Sequence, residues 1–355
     1  MVVVCTMLAG FGYIGSRELK IGDLDPGAPE LRSDSRYNRD AAFMNSNYGA
    51  SSDVFAIMVK TPKNECTLYD TMMRTNALEW ILLNMEGVEF TRSLAFYNRQ
   101  MLYGYNEGNI KWYELLNNQG MINSIAYPAP RILFNEECSL LTLYAYLADH
   151  KADTLTSVVN TVEAFARENN TDKATFLMAA GSAGIAAATN IVVEVANRRM
   201  LYLVYSAVIL LCFIAFRSWR AVVCAVLPLM LTSILAEALM VKLGIGVKVA
   251  TLPVIALGVG IGVDYALYLM SVLKGHLDAG RTLSVAYYRT LLFTGRVVML
   301  IGITLSVAVA TWAFSPIKFQ ADMGILLAFM FLWNMLGTML LMPALAYFLM
   351  PSKTD

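Results

Sequence analysis

The stretch PVIALGVGIGVDYALY, residues 253–268, places a carboxylate inside an apolar segment that is long enough to cross a bilayer. An ionised Asp in the hydrocarbon core costs about 2.5 to 3.5 kcal/mol on insertion scales. Nothing in the stretch offsets that cost, because it contains no basic residue. Asp264 therefore needs a partner, a bound proton or a function, and we predict that it carries protons.

The composition of the chain indicates a membrane protein. Of its 355 residues, 57% are hydrophobic and only 15% are charged, whereas soluble domains carry about 25% charged residues. The apolar residues concentrate in 200–350, and 17–197 resembles an ordinary polar and apolar mixture. The formal net charge of zero gives no electrostatic footprint for nucleic acid.

Apolar runs predict a helical bundle over residues 198–350. A bilayer core of about 30 Å needs roughly 20 apolar residues per helix. The opening run, 1–16, is shorter, and we interpret it as the end of a partial span whose beginning is missing. The five runs that we predict to be complete spans are Met200–Phe216, Ala221–Val241, Val249–Leu273, Val297–Phe314 and Met323–Met350.

Basic residues between the runs predict the orientation, because cytoplasmic loops carry an excess of Lys and Arg. They concentrate in 217–220, in 274–296 and in the tail 351–355. These segments are therefore predicted to be cytoplasmic, and residues 17–197 to be extracytoplasmic. Within the second loop, Leu283–Leu292 is expected to form a helix along the inner membrane face.

The extracytoplasmic region shows the same order of elements twice. Each half has a strand, an amphipathic helix and a second strand, which predicts a split βαβ, ferredoxin-like α+β module. The predicted strands are Asp53–Lys60, Val88–Leu94, Leu140–Ala148 and Ala174–Ala179, and the predicted helices are Leu68–Met85 and Thr154–Glu168.

Three further features of this region are open to interpretation. The insert 97–137 is rich in Asn, Tyr and Gly, and we expect little secondary structure in it, as a lid or as a packed surface loop. Gly181–Ala188 is expected to be a flexible joint. Cys66 and Cys138 could form a disulfide in an oxidising compartment, but we favour two separate thiols.

The repeat, the spans and the intramembrane Asp-Tyr pair together resemble the RND superfamily of proton-driven exporters. The likeness is to its hydrophobe/amphiphile efflux and MmpL-like branches, and the chain resembles the C-terminal half of such a permease. The motif is carried by Gly258, Gly260, Gly262, Asp264 and Tyr265, with further likeness at Thr294-Gly-Arg296, Thr304, Ser306, Trp333-Asn334-Met335 and Met342-Pro343-Ala344.

The resemblance implies a proton relay. Its members would be Asp264, Tyr265, Thr304, Ser306 and Asn334, although Ser and Thr hydroxyls often bond to their own helix backbone. The three glycines of the motif do not form a nucleotide loop, because they lie inside a span. Gly258, Gly260 and Gly262 instead indicate close helix packing, which small residues permit.

The function that we expect is proton-driven export of hydrophobic or amphiphilic molecules such as lipids or drugs, in the bacterial inner membrane. Alternatives are an RND-like accessory factor in protein secretion and a sterol- or lipid-sensing bundle without transport. No cofactor, no metal site and no enzymatic arrangement of Ser, His, Cys or Asp is predicted. Expected partners are the bilayer, the substrate, a missing N-terminal half or a second copy, and periplasmic or outer-membrane proteins.

Overall fold

A computed structural model describes residues 1–48 and 51–350 of the chain. It divides into two compact units. The sheet unit comprises Asp25–Ala28 and Ser33–Ile191, and the bundle unit comprises Met1–Leu24, Pro29–Arg32 and the residues from Val192 onward. The predicted cytoplasmic tail, 351–355, lies outside the described residues, and the predicted domain limits stay a prediction.

The described ranges contain twelve α-helices and four β-strands. The helices are α1 (Val2–Ser16), α2 (Arg36–Tyr48), α3 (Tyr69–Leu83), α4 (Leu94–Tyr105), α5 (Gln119–Ala126), α6 (Ala152–Asn169), α7 (Gly181–Phe216), α8 (Trp219–Leu243), α9 (Leu252–Asp278), α10 (Leu283–Thr290), α11 (Arg296–Ala310) and α12 (Lys318–Leu349). The strands are β1 (Val54–Lys60), β2 (Val88–Arg92), β3 (Leu140–Leu147) and β4 (Thr175–Ala180).

The four strands form one antiparallel sheet in the order β2-β3-β1-β4. Residues of β3 alternate strictly between buried and partly buried positions, as expected for a strand with one face on a core. Helix α3 connects β1 to β2, and α6 connects β3 to β4. All six elements that the sequence predicted in this region are therefore present.

The insert 97–137 differs from the expectation because it contains regular structure. It holds most of α4, a 3-10 turn at Ile110–Trp112 and α5. Side-chain caps start both helices: Ser93 accepts a hydrogen bond from Phe96 N at 2.9 Å, and Asn118 accepts one from Met121 N at 3.2 Å. Such caps satisfy the free N–H groups of a first turn, and apolar periodicity does not detect them.

The preference for two free thiols is wrong, since Cys66 and Cys138 form a disulfide. The cause lies in the strand register, in which Lys60 at the end of β1 pairs with Leu140 at the start of β3. The segments that extend beyond this pair stay adjacent, and Cys66 N donates to Cys138 O at 3.1 Å. Their Cα atoms are 5.0 Å apart, a normal bridging distance.

The predicted flexible joint at Gly181–Ala188 is also wrong, because these residues form the first turns of α7. Four of the eight are alanine, which has the highest helix propensity. Gly181 itself has φ +78°, and a Cβ there would overlap the carbonyl oxygen of Val54. Glycine is therefore required where the chain leaves β4 for α7.

Five helices are long and apolar enough to cross a membrane, by length and composition, and they confirm the predicted complete spans. About half of the central residues in α8, α9 and α12 are buried, whereas the other spans are mostly exposed. The predicted helix at Leu283–Leu292 exists as α10, but it is not separate. It continues through a π turn at Leu291–Gly295 into α11, so the fourth span covers Leu283–Phe314.

Candidate functional site

Asp264 lies on the exposed face of α9. Gly260 and Tyr268, one turn before and one turn after it, are exposed as well. The Asp264 carboxylate has neither a hydrogen bond nor an ion pair with any residue that the structure describes. The bundle unit thus presents an acidic group on an outer face of a membrane-spanning helix.

Tyr265 points the other way, because successive residues of a helix are rotated by about 100°. Its side chain is only 2% exposed, and its hydroxyl has no hydrogen-bond partner among the described residues. The predicted Asp-Tyr pair is therefore split between the outer face of α9 and the core of the bundle unit.

Two of the three motif glycines bring α9 close to α12. A Cβ at Gly258 would overlap Met330, and one at Gly262 would overlap the amide of Asn334. Gly260 has open space around it and contacts no other helix, since it lies on the exposed face with Asp264. The described residues therefore give Gly260 no neighbouring helix, and its packing role stays a prediction.

Asn334 joins α12 to α9 by a hydrogen bond. Its Nδ2 donates to the backbone oxygen of Gly258 at 2.7 Å, and Gly262, one turn later, leaves the amide the space that a Cβ would occupy. The Asn334 side chain is 1% exposed, and its Oδ1 is buried with no partner in the described part of the chain. An unused acceptor at this depth is costly unless another group uses it.

The two predicted residues on α11 have different surroundings. Thr304 is exposed, and its hydroxyl donates to Leu300 O at 2.7 Å in its own helix. Ser306 is 3% exposed, and its hydroxyl oxygen has no partner within residues 1–48 and 51–350. Of these two, only Ser306 offers a free polar atom to the interior of the bundle unit.

Thr338, which was not among the predicted residues, lies one helical turn after Asn334 on α12. Its side chain is fully buried, and its hydroxyl has no hydrogen-bond partner among the residues described. The signal was the spacing, because polar residues four positions apart lie on one face of a helix. Tyr265, Ser306, Asn334 and Thr338 thus each bury one unsatisfied polar atom.

The sheet unit contains one fully buried carboxylate, Glu79, with three partners. Its oxygens accept hydrogen bonds from Thr91 Oγ1 and Ser93 Oγ, both at 3.0 Å, and from Arg99 Nη2 at 3.2 Å. Burial raises the pKa of Glu79 above its ordinary value, although Arg99 and the two hydroxyls act in the opposite direction. This cluster links α3 to β2 and α4.

Five spanning helices, with a carboxylate on one of them and an appended antiparallel sheet, define a multi-pass membrane protein with a candidate ion-coupling residue. The family model of the MMPL family matches residues 141–353, which is more than half of the chain. The chain therefore belongs to the MMPL family, whose members are RND-type transporters of hydrophobic substrates. No curated protein matches the chain. The predicted resemblance to RND and MmpL-like transporters is confirmed.

Proposed function

We propose that this chain is half of a permease that exports hydrophobic or amphiphilic molecules and is driven by the proton-motive force. The observation that carries the proposal is Asp264, an ionisable group on a spanning helix that has no partner in the described part of the chain. Intramembrane acidic residues are rare because of their cost and are found at ion pathways. A proton that moves inward down 100 mV supplies about 2.3 kcal/mol for transport.

The position of Asp264 also supports the proposal that the site is completed by another protein surface. A carboxylate on an outer face would contact hydrocarbon unless another protein surface covers it. We therefore expect the second half of the permease, or a second copy of this chain, to bury this face of α9. The covering surface would supply the partner that the described residues do not provide.

Four buried polar atoms support a path for protons behind Asp264. The Tyr265 and Thr338 hydroxyls, the Ser306 hydroxyl and Asn334 Oδ1 lack partners within residues 1–48 and 51–350, and each could bind water or relay a proton. Thr304 is left out of the proposed relay, because its hydroxyl hydrogen is already donated to Leu300 O. Thr338 takes its place.

The sheet unit is proposed to be a ferredoxin-like porter domain outside the cytoplasm of a bacterium, anchored by a bundle in the inner membrane. The strand order β2-β3-β1-β4 with its two βαβ connections supports the fold. The Cys66–Cys138 disulfide supports the location, since disulfides persist in oxidising compartments and are rare in the cytosol.

The test is substrate-coupled proton flux in proteoliposomes that contain the complete transporter and a pH-sensitive dye. Asp264→Asn is expected to reduce flux to the background of empty vesicles. The matched control is Asp278→Asn, which removes an exposed carboxylate at the end of the same helix and should leave flux unchanged. Undiminished substrate movement with Asp264→Asn would exclude the proposed relay. Lipid binding without any flux in the wild type would instead indicate a sensor.

A further inference from the structure

A second acidic residue lies inside a spanning helix of the bundle unit. Glu237 is on α8, which ends one and a half turns later at Leu243, so the residue lies about 9 Å from that end. Its side chain is partly buried, and its carboxylate has no hydrogen bond or ion pair with any residue that the structure describes. Acidic residues within spanning helices are costly and mark ion pathways.

No basic residue of α8 neutralises this carboxylate. Lys242 is exposed and follows Glu237 by five positions, which places it about 140° around the helix. The titratable side chains that point inward from the surrounding helices are not cations. They are Tyr205 of α7, Tyr265 of α9 and Asp322 of α12, and Tyr13 of α1 is exposed. Glu237 therefore has no counter-charge among the described residues.

Two hydroxyl groups continue from Glu237 toward the middle of the bundle unit. Ser233 lies one turn deeper on the same face of α8, since residues four positions apart share a face. The Tyr205 hydroxyl of α7 is 2.7 Å from Ser233 Oγ and donates to Leu229 O at 3.2 Å. Tyr205 is also close enough to Glu237 for an electrostatic interaction. A carboxylate and two hydroxyls therefore form a polar line between α7 and α8.

The inner end of this polar line lies beside the candidate site. The backbone oxygen of Leu229 bonds to Tyr205, and Leu229 Cδ2 would lie 2.8 Å from a Cβ at Gly262. The amide of Asn334 occupies the same space next to Gly262. Leu229 therefore has its backbone on the polar line and its side chain next to Asn334, whose Oδ1 has no partner among the described residues.

The outer end of the polar line has a further polar group. Asn197 lies two turns before Tyr205 on α7, and its Oδ1 is buried with no partner within residues 1–48 and 51–350. Such atoms commonly bind water. Asp264 lies about 18 Å from the start of α9, and the short segment 244–251 joins α8 to α9. Measured from this shared side, Glu237 is at about half the depth of Asp264.

We propose that Glu237 takes up protons from the predicted extracytoplasmic side and passes them toward Asn334 and Asp264. This inference rests on the proposed function, because it adds an uptake step to the same relay. The Glu237 carboxylate accepts a proton from water at the outer end of the polar line. The carboxyl group then releases that proton to water deeper in the line and returns to the carboxylate. Tyr205 and Ser233 are positioning residues, whose hydroxyls orient the carboxyl group and this water.

The test is substrate-coupled proton flux in proteoliposomes with the complete transporter, measured while the pH on the extracytoplasmic side is varied. Glu237→Gln should reduce flux roughly tenfold at neutral pH, less than the about 100-fold effect of a positioned acid–base group, because water still protonates deeper groups slowly. Flux in the variant should rise with the external proton concentration, whereas wild-type flux should level off. Glu237→Asp, which restores a carboxylate, should restore most of the flux.

Glu194→Gln is the matched control, because it removes an exposed carboxylate of α7 that pairs with Arg198, and it should leave flux and its pH profile unchanged. Tyr205→Phe should change the pH profile as Glu237→Gln does, and it provides the test if that variant does not fold. Wild-type behaviour of Glu237→Gln beside an inactive Asp264→Asn would overturn this inference alone. Full flux in both would overturn the proposed relay as well. Equal losses in Glu237→Gln and Glu237→Asp at every pH would show a structural role and overturn the uptake step.

Discussion

Glu79 in the sheet unit and Asp264 in the bundle unit have opposite surroundings. In the sheet unit, Glu79 is fully buried and has three side-chain partners from β2, α4 and the residue between them. In the bundle unit, Asp264 is exposed and has no partner among the described residues. The sheet unit supplies Glu79 with partners from its own residues. The bundle unit leaves Asp264 available for another surface, as the proposed coupling role would require.

The largest loss of stability is expected from a variant that breaks the Glu79 cluster of the sheet unit. Arg99→Met leaves Glu79 buried without its cation, and loss of one partner of a buried pair costs about 3–5 kcal/mol. The free energy of opening α3 and α4, measured by hydrogen exchange in the intact protein, should fall by that amount. Arg167→Met, which breaks the exposed pair with Glu163, should cost at most about 1 kcal/mol. Equal effects of the two variants would show that the cluster contributes no more than a surface pair.

Removal of the disulfide is the next largest test of the sheet unit. The bond closes a loop with a sequence separation of 72 residues, so its loss should reduce stability by about 4 kcal/mol on the loop-entropy estimate. The double variant Cys66→Ser, Cys138→Ser is compared with the wild type by urea unfolding followed by hydrogen exchange in the sheet unit. Cys5→Ser, a change in the bundle unit, is the control and should leave these amides unaffected. An unchanged urea midpoint in the double variant would contradict the prediction.

Substitution of the motif glycines tests which face of α9 packs against other helices of this chain. Gly258→Ala and Gly262→Ala force a methyl group into α12 and should destabilise the bundle by about 1–3 kcal/mol. Gly260→Ala has open space and should be neutral or stabilise the helix by up to about 1 kcal/mol. Thermal unfolding in detergent, followed by circular dichroism, measures all three. A large loss with Gly260→Ala in the complete transporter but not in this chain alone would locate the partner surface at Asp264.

Most elements of both units could be predicted from the sequence, because apolar runs and periodicity are local signals. The sequence also predicts which residues of α9 lie on the same face of the helix. At 100° per residue, Gly258 and Gly262 share a face with Tyr265, and Gly260 shares the opposite face with Asp264. Periodicity could not show which face the other helices cover, since both faces contain glycine and apolar residues.

The remaining differences arise from tertiary structure or from capping. The Cys66–Cys138 bond depends on the pairing of β1 with β3, which brings together residues far apart in the sequence. The partnerless hydroxyl of Thr338 is visible only once α12 is placed in the bundle unit. The helices of the insert depended on Ser93 and Asn118, two capping residues that a search for apolar periodicity does not detect.

The smallest expected effect is a pH dependence of the sheet unit. Burial, the largest influence, raises the pKa of Glu79 above its ordinary value of 4.5. A carboxyl group with a raised pKa in the folded state stabilises the fold fully below its unfolded pKa, and this contribution is lost as the pH rises through the folded pKa. The unfolding free energy of the sheet unit should therefore decrease with rising pH above about 4.5, by at most about 1.4 kcal/mol per pH unit.

Glu79→Gln isolates this dependence, because glutamine keeps the shape and does not titrate. The variant should flatten the pH profile of hydrogen exchange in α3 and leave substrate-coupled proton flux at the wild-type level. Asp264→Asn should leave that pH profile unchanged and abolish the flux. The two carboxylates would then be separated by function as they are by surroundings. If Glu79→Gln instead abolished flux, the partnered carboxylate would be part of the coupling pathway, and the contrast between Glu79 and Asp264 would fail.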